Sequence, residues 1–94
     1  MSYQLVYAKK FVRQYRKLER SGNKRILLAL DRVINKLEQG ESLPFQNHTH
    51  RLAGNLACFY ECHVSPDWLL IYQVHEDILI LELIATGTHS ELFR

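Results

Sequence analysis

Hydrophobic and polar positions follow two different periods along this chain, and the places where the period changes mark its elements. Tyr3-Gln4-Leu5-Val6-Tyr7 alternates, and is aromatic and β-branched enough for a short opening strand. From Ala8 the period becomes helical. Phe11, Tyr15 and Leu18 recur on one stripe, while Lys9, Lys10, Arg13, Arg16, Lys17 and Arg20 fill the other positions. Ser21-Gly22-Asn23 breaks this helix, and Ser21 or Asn23 is suited to cap the next. A second helix is predicted from about Lys24 to Gln39. Its buried face comprises Ile26, Leu27, Leu30, Val33, Ile34 and Leu37, and Gly40 supplies the residue able to take positive φ at its end. Two helices joined by so short a break predict an antiparallel hairpin that packs its apolar stripes on a sheet.

Beyond the Pro44 loop the chain reads as β-structure. His50-Arg51-Leu52 is a short strand, Gly54-Asn55 a turn, and Phe59–Val64 the next strand. Ser65-Pro66 turns the chain into Trp68–Val74, which is apolar on both faces as a central strand should be. Glu76-Asp77 then connects to a strand over Ile78–Ala85. These strands form an antiparallel meander, with the first strand added at one edge. At the C-terminus, Thr88-His89-Ser90-Glu91 has the spacing of a capping box and predicts a short helical turn carrying His89, Leu92 and Phe93. The expected fold is thus α+β, an N-terminal strand and helical hairpin packed on an antiparallel sheet.

Ninety-four residues correspond to one domain, residues 1–94, with no room for a second. No apolar run approaches the ~20 residues of a membrane span, and Met1-Ser2-Tyr3-Gln4 does not start a secretory signal, so a soluble cytoplasmic protein is expected. Charge changes the picture more. Residues 1–40 carry ten Lys/Arg against three acids, a net of +7; residues 41–94 carry two against seven, a net of −5, and hold all five histidines. A cationic half suits a polyanionic partner, and a histidine–carboxylate half suits acid–base chemistry. Cys58 and Cys62 lie four positions apart on one predicted strand, roughly 13 Å, which is beyond disulfide reach and favours two reduced thiols.

Candidate chemistry centres on Cys62–Trp68. Strand alternation puts Glu61 and His63 on one face, and Asp67 emerges across the turn from His63. A carboxylate within hydrogen-bond reach fixes a histidine's tautomer for proton transfer. A solvated surface histidine and an Asp kept for its turn geometry account for the same residues, so the pattern alone leaves both readings open. His48 and His50 form an H-x-H pair that strand geometry would point to one face, with His63 or His89 to complete a zinc site; no second compact ligand motif accompanies it, and no metal or other cofactor is expected. Gly-rich phosphate loops and serine-nucleophile motifs are absent from the sequence.

Three segments carry a resemblance: Leu52-Ala53-Gly54-Asn55; Tyr60-Glu61-Cys62-His63-Val64-Ser65-Pro66-Asp67-Trp68-Leu69-Leu70-Ile71-Tyr72; and Thr86-Gly87-Thr88-His89-Ser90-Glu91-Leu92-Phe93. Together they resemble the YafQ branch of the RelE/ParE toxin superfamily, whose order of elements is similar along essentially the whole chain. The resemblance implies the toxin of a type II toxin–antitoxin pair, which cuts messenger RNA in the ribosomal A site without a metal and is neutralised by a cognate antitoxin protein. DNA would be met only through the antitoxin complex, and no membrane is involved.

By position, the family's active-site residues match His50, His63, Asp67, His89 and Phe93, with Glu61 where an acidic residue is usual. The implied reaction is attack of a ribose 2′-OH on the adjacent phosphate, which needs a base, an acid and charge stabilisation. His50 and His89 would share proton transfer, with neither assigned as acid or base. His63 would hold the phosphate, Asp67 would orient a histidine, and Phe93 would stack on a splayed base. Lys9, Lys10, Arg13 and Lys17 would face ribosomal RNA. The sequence departs from the family pattern where relatives commonly carry arginine, at Ala85 and Tyr60; Arg51 and Arg94 are the cations left in that half, and Leu56 stands where Trp is frequent. Two further readings stay open: a ParE-like toxin that binds DNA gyrase, and a catalytically weak member that serves in a repressor complex.

Overall fold

Where each element begins and ends is set by local chemistry. A computed structural model describes residues 2–52 and 59–93. The order is β1 (Gln4–Tyr7), α1 (Lys9–Ser21), α2 (Lys24–Glu38), a 3-10 turn at Phe45–Asn47, β2 (His50–Arg51), β3 (Tyr60–Ser65), β4 (Trp68–His75), β5 (Ile80–Gly87) and α3 (His89–Phe93). Gly22, at φ 78°, ends α1 in the left-handed region that L-residues resist, and the Asn23 side chain caps α2 by accepting from the Ile26 amide at 3.3 Å. Ser21 instead closes α1, donating to the Leu18 carbonyl at 2.6 Å. No helix among the described residues is long and apolar enough to cross a membrane.

The strands form one sheet in the order β1-β5-β4-β3-β2. The predicted antiparallel meander holds for β2 through β5, whereas β1 joins the edge of β5 in parallel, making the sheet mixed. The helical hairpin between β1 and the rest of the sheet makes this possible, since parallel neighbours need a long crossover. Phe11 and Leu18 of α1 and Leu30 and Val33 of α2 pack on Cys62, Leu70, Tyr72, Leu81 and Leu83. Leu30, Leu70, Leu81 and Leu83 are fully buried, each contributing roughly 1.5–3 kcal/mol.

Several strand boundaries differ from the sequence reading by one or two residues. β5 starts at Ile80 rather than Ile78 because Leu79 is left-handed (φ 54°) and Ile78, its amide donating to the His75 carbonyl, is spent on the turn and exposed. β5 also runs on to Gly87, two residues past Ala85. β2 ends at Arg51, though the Leu52 amide still bonds to the Phe59 carbonyl. The Gly54-Asn55 turn, Leu56 and the Cys58 half of the cysteine question lie outside the described residues, as does Arg94. Cys62 is a free thiol, fully buried, and burial pushes its pKa up to about 12.

One irregularity matters for the site. Ile71 pairs with Ala85 but Tyr72 pairs with Leu83, so Ile84 is an extra residue in β5. This bulge re-phases the strand. Leu81 and Leu83 face α1 and α2 before it; after it Thr86 does, and Ala85 and Gly87 turn to the face opposite the hairpin.

Candidate active site

The face opposite the hairpin is built in two rows across the strands. His50 is opposite Glu61, Glu61 opposite Ile71, and Ile71 opposite Ala85. In the next row His63 is opposite Leu69, and Leu69 opposite Gly87. Neighbouring strands are about 4.8 Å apart and same-face rows roughly 7 Å, so the pairings alone gather these residues into one patch.

The strongest polar contact in the patch joins His50 Nε2 to Glu61 Oε1 at 2.9 Å. Glu61 is only 6% exposed and sits on a central part of the sheet, while the His50 side chain on the edge strand is 53% exposed. A nearly buried carboxylate therefore presents a solvent-facing imidazole, whose Nδ1 lies 3.4 Å from the Arg51 carbonyl. His63 is held from its backbone: its carbonyl accepts from the Asn47 Nδ2 at 2.5 Å. Its ring meets that of His48 edge-on, with centroids 5.4 Å apart at 69°. The two line a cleft of about 480 Å³ with Gln46, Asn47, Val64, Ser65 and Pro66.

The H-x-H expectation is corrected here. His48 is not in a strand but ends the 3-10 turn at φ 46°, so it swings to His63 while His50 goes to Glu61. Sequence reading valued His48 only as a metal ligand and gave Asn47 no role; the Pro44-initiated turn that aims both at β3 has no strong sequence signature.

Asp67 is exposed at the turn and, among the described residues, makes no hydrogen bond or ion pair. It borders a cleft toward the start of α2, beside Arg25, Ile26 and Ala29. The carboxylate that holds His50 is Glu61, not Asp67, and a second pair, His75 Nε2 with Glu82 Oε1 at 3.3 Å, lies apart from the patch.

His89 and Phe93 stand one turn apart on α3, rings 5.2 Å apart. α3 begins two residues after Gly87, in the row of His63, so it rises at that end of the sheet. The predicted capping box forms: the Thr88 amide donates to Glu91 Oε1 at 2.8 Å and the Glu91 amide to Thr88 Oγ1 at 3.3 Å. Gly87 permits the tight fold-back, since a Cβ there would lie 3.0 Å from that carboxylate. The Thr88 backbone donor, opposed by desolvation and helped by the Thr88 hydroxyl and Lys17, holds the Glu91 carboxyl below the usual range. Lys17 reaches Glu91 at 3.8 Å, so this cation of α1 borders α3, while Lys9, Lys10 and Arg13 are exposed along the helix.

A buried hydroxyl ties this end together. Thr86 Oγ1 accepts from Trp68 Nε1 and donates to the Leu69 carbonyl, both at 2.8 Å, and the Thr86 amide donates to Gln14 Oε1 of α1 at 2.8 Å. Nothing in the periodicity pointed to this network.

The two missing arginines separate geometrically. Ala85 lies, buried, on the site face in the row of His50 and Glu61. Tyr60 lies on the other face, stacked on Tyr72 at 5.6 Å, with the Arg51 guanidinium 5.5 Å over its ring and Nη2 donating to its hydroxyl at 3.1 Å. Of the two positions where the resemblance implies arginine, position 85 is the one on the face of His50 and Glu61.

The fold is thus α+β, a helical hairpin on a mixed sheet, with His50 and His63 beside a buried carboxylate on the face opposite the hairpin. The chain belongs to the family described as the bacterial toxin of type II toxin–antitoxin system, YafQ, which it matches over residues 3–94. Among relatives, the mRNA interferase toxin YafQ of Escherichia coli K12 is 41% identical over 51 residues, 54% of this chain. The chain spans about half the length of the curated relatives it matches, 53% in that case. A metal-bound toxin from Helicobacter pylori superimposes with a TM-score of 0.86 at 35% identity, covering 99% of this chain and 100% of the other. The E. coli DinJ-YafQ complex gives 0.86 at 25% identity, covering 98% and 99%.

Proposed function

We propose that this chain is an endoribonuclease toxin that cuts messenger RNA on the ribosome through the ribose 2′-OH, in the cytoplasm, and is neutralised by a cognate antitoxin. The observation that carries the reading is the His50–Glu61 pair on the same face as His63, with His89 and Phe93 at the adjoining strand end. The E. coli relatives named as mRNA interferase toxins, and the relative seen in complex with DinJ, support it.

His50 takes the proton of the 2′-OH at Nδ1, which gives up its 3.4 Å approach to the Arg51 carbonyl, while Glu61 holds Nε2 and stabilises the imidazolium that forms. The alkoxide attacks the adjacent phosphorus, leaving a cyclic phosphate, and His89 protonates the departing 5′-oxygen. His63 donates to the charged phosphorane, and Phe93 stacks on a base displaced from its neighbours. The orienting role given to Asp67 by the resemblance passes to Glu61. Lys9, Lys10 and Arg13 provide phosphate contacts whose affinity falls with salt. Contact with DNA is indirect, through the antitoxin complex.

The metal of the H. pylori relative raises whether an ion belongs here. Among the described residues no three His, Cys, Asp or Glu side chains converge as a ligand set; His50 Nε2 is turned to Glu61, and His48 and His63 meet edge-on. The residues as arranged do not fit an ion, and no step is routed through one. Buried Ala85 favours a second reading, slow chemistry in a member that acts largely within its antitoxin complex.

Purified protein added to ribosomes programmed with a defined messenger tests the proposal. Cleavage is expected only with ribosomes present, and His50→Ala or His89→Ala should abolish it while the fold is retained. Intact cleavage by both variants, or inhibition of DNA gyrase in place of cleavage, overturns it.

A further inference from the structure

We propose that Phe45 and His48 form a second base-stacking platform, which takes the nucleobase flanking the scissile phosphate on the side away from Phe93. This rests on the ribonuclease reading and adds to it the path of the RNA. Phe45 is 91% exposed, an aromatic ring almost wholly in water, against 61% for Leu28 and Ile78, the next most exposed large apolar side chains among the described residues. It is not on a loose strand: its 3-10 turn is pinned to β3 by the Asn47–His63 hydrogen bond. The Phe45 ring meets the His48 ring at 5.8 Å and 56°, and the His48 ring meets His63 at 5.4 Å and 69°. Three rings thus lead from open solvent to a histidine of the site, Phe45 and His48 exposed and His63 half-buried.

The backbone supports a functional origin. His48 holds φ 46°, a left-handed conformation uncommon outside glycine, and such positions concentrate at sites where a side chain must be aimed. Single-stranded RNA is gripped by aromatic faces because every base offers a π-face, whatever the sequence. With Phe93 beside His89 on α3 and Phe45 beside His48 before β2, two aromatic pairs bracket the row that holds His63. A nucleotide on each would splay the phosphodiester between them over the histidines.

The test uses programmed ribosomes with two messengers of one sequence. The first is unmodified; the second carries a 2′-O-methyl at the cleaved nucleotide and 2-aminopurine at one or the other flanking position. With the first, Phe45→Ala should raise KM on the order of 10-fold while kcat stays within about 2-fold. Phe45→Trp should restore KM, and Phe45→Leu, apolar but without a π-face, should not. His48→Gly, which keeps the left-handed backbone, should raise KM likewise. With the second, the wild-type protein should quench 2-aminopurine at one flanking position, and Phe45→Ala should not. Unchanged KM and quenching in Phe45→Ala overturn the platform and leave the ribonuclease reading standing. Full rescue by Phe45→Leu, or weaker antitoxin binding with unchanged KM, assigns the ring to apolar or protein contact and also overturns it. Failure of the wild type to cut the unmodified messenger overturns both.

Discussion

The His50–Glu61 contact makes a quantitative demand, because a positioning carboxylate matters only through the histidine it positions. Replacing Glu61 by Gln keeps the side-chain volume in a site only 6% exposed and leaves an amide oxygen able to accept from His50. What is lost is the charge that stabilises a protonated His50, and a tenfold fall in rate corresponds to about 1.4 kcal/mol. We expect Glu61→Gln to lower single-turnover cleavage about 10–30-fold, and His50→Ala to lower it about 10²–10⁴-fold, the range for a general base. Combining the two should cost no more than His50→Ala alone, within about 2-fold, since residues that act as a unit are not additive. Stability gives an independent reading. Breaking a buried ion pair costs about 3–5 kcal/mol, but His50 is 53% exposed and water reaches the vacated carboxylate, which reduces the expected loss for His50→Ala to about 1–2 kcal/mol. The assay is cleavage of end-labelled messenger on programmed ribosomes, with thermal melting of each variant alongside. If Glu61→Gln still costs tenfold in the His50→Ala background, Glu61 does not work through His50, and the assignment fails.

Further expectations follow from other contacts. Trp68→Phe removes the donor to buried Thr86 and should cost about 1–2 kcal/mol, read as a melting temperature lower by several degrees. Leu30→Ala, at a fully buried position, should cost about 2–5 kcal/mol in denaturant unfolding. The Glu91 cap should make α3 sensitive to acid. Its folded carboxyl titrates below the unfolded one, so its contribution is complete above the ordinary carboxylate range and is lost as pH falls through the lowered folded value; amide exchange at Leu92 should accelerate there, and Glu91→Gln should remove the pH step. In a Cys58→Ser background, Cys62, its thiol pushed up to about 12, should resist a thiol reagent at pH 8 and react only on unfolding.

Much of the fold was legible because burial leaves periodic traces. Phe11 and Leu18, and Leu30 and Val33, announced their helical faces, and four consecutive buried residues, Leu69 to Tyr72, announced a central strand. Ile78-Leu79-Ile80-Leu81 misled because four apolar residues in a row carry no mark of where a left-handed turn residue ends and a strand begins. The histidine set could be collected from the sequence, but not its pairings. Which carboxylate meets which histidine depends on strand register: His50 opposite Glu61 is a fact of β2–β3 alignment, whereas Asp67 drew attention by its proximity in the chain to His63 and by the family resemblance. The facing of Ala85 was hidden for the same reason, because the single inserted residue Ile84 decides it.

Gln14 couples α1 to the end of β5. Its side chain grips the Thr86 amide from within α1, next to Arg13 and one turn before Lys17, and Thr86 is in turn locked to Trp68 and Leu69. The cationic helix and the segment that launches His89 are therefore tied together, and on the proposed ribonuclease reading they set a fixed offset between the phosphate-contacting surface and the histidines. Wherever that helix seats on a polyanion, the offset decides which bond comes under the histidines. Lengthening or loosening the Gln14 link, as in Gln14→Glu or Gln14→Ala, would blur the place of the cut before it abolished cutting.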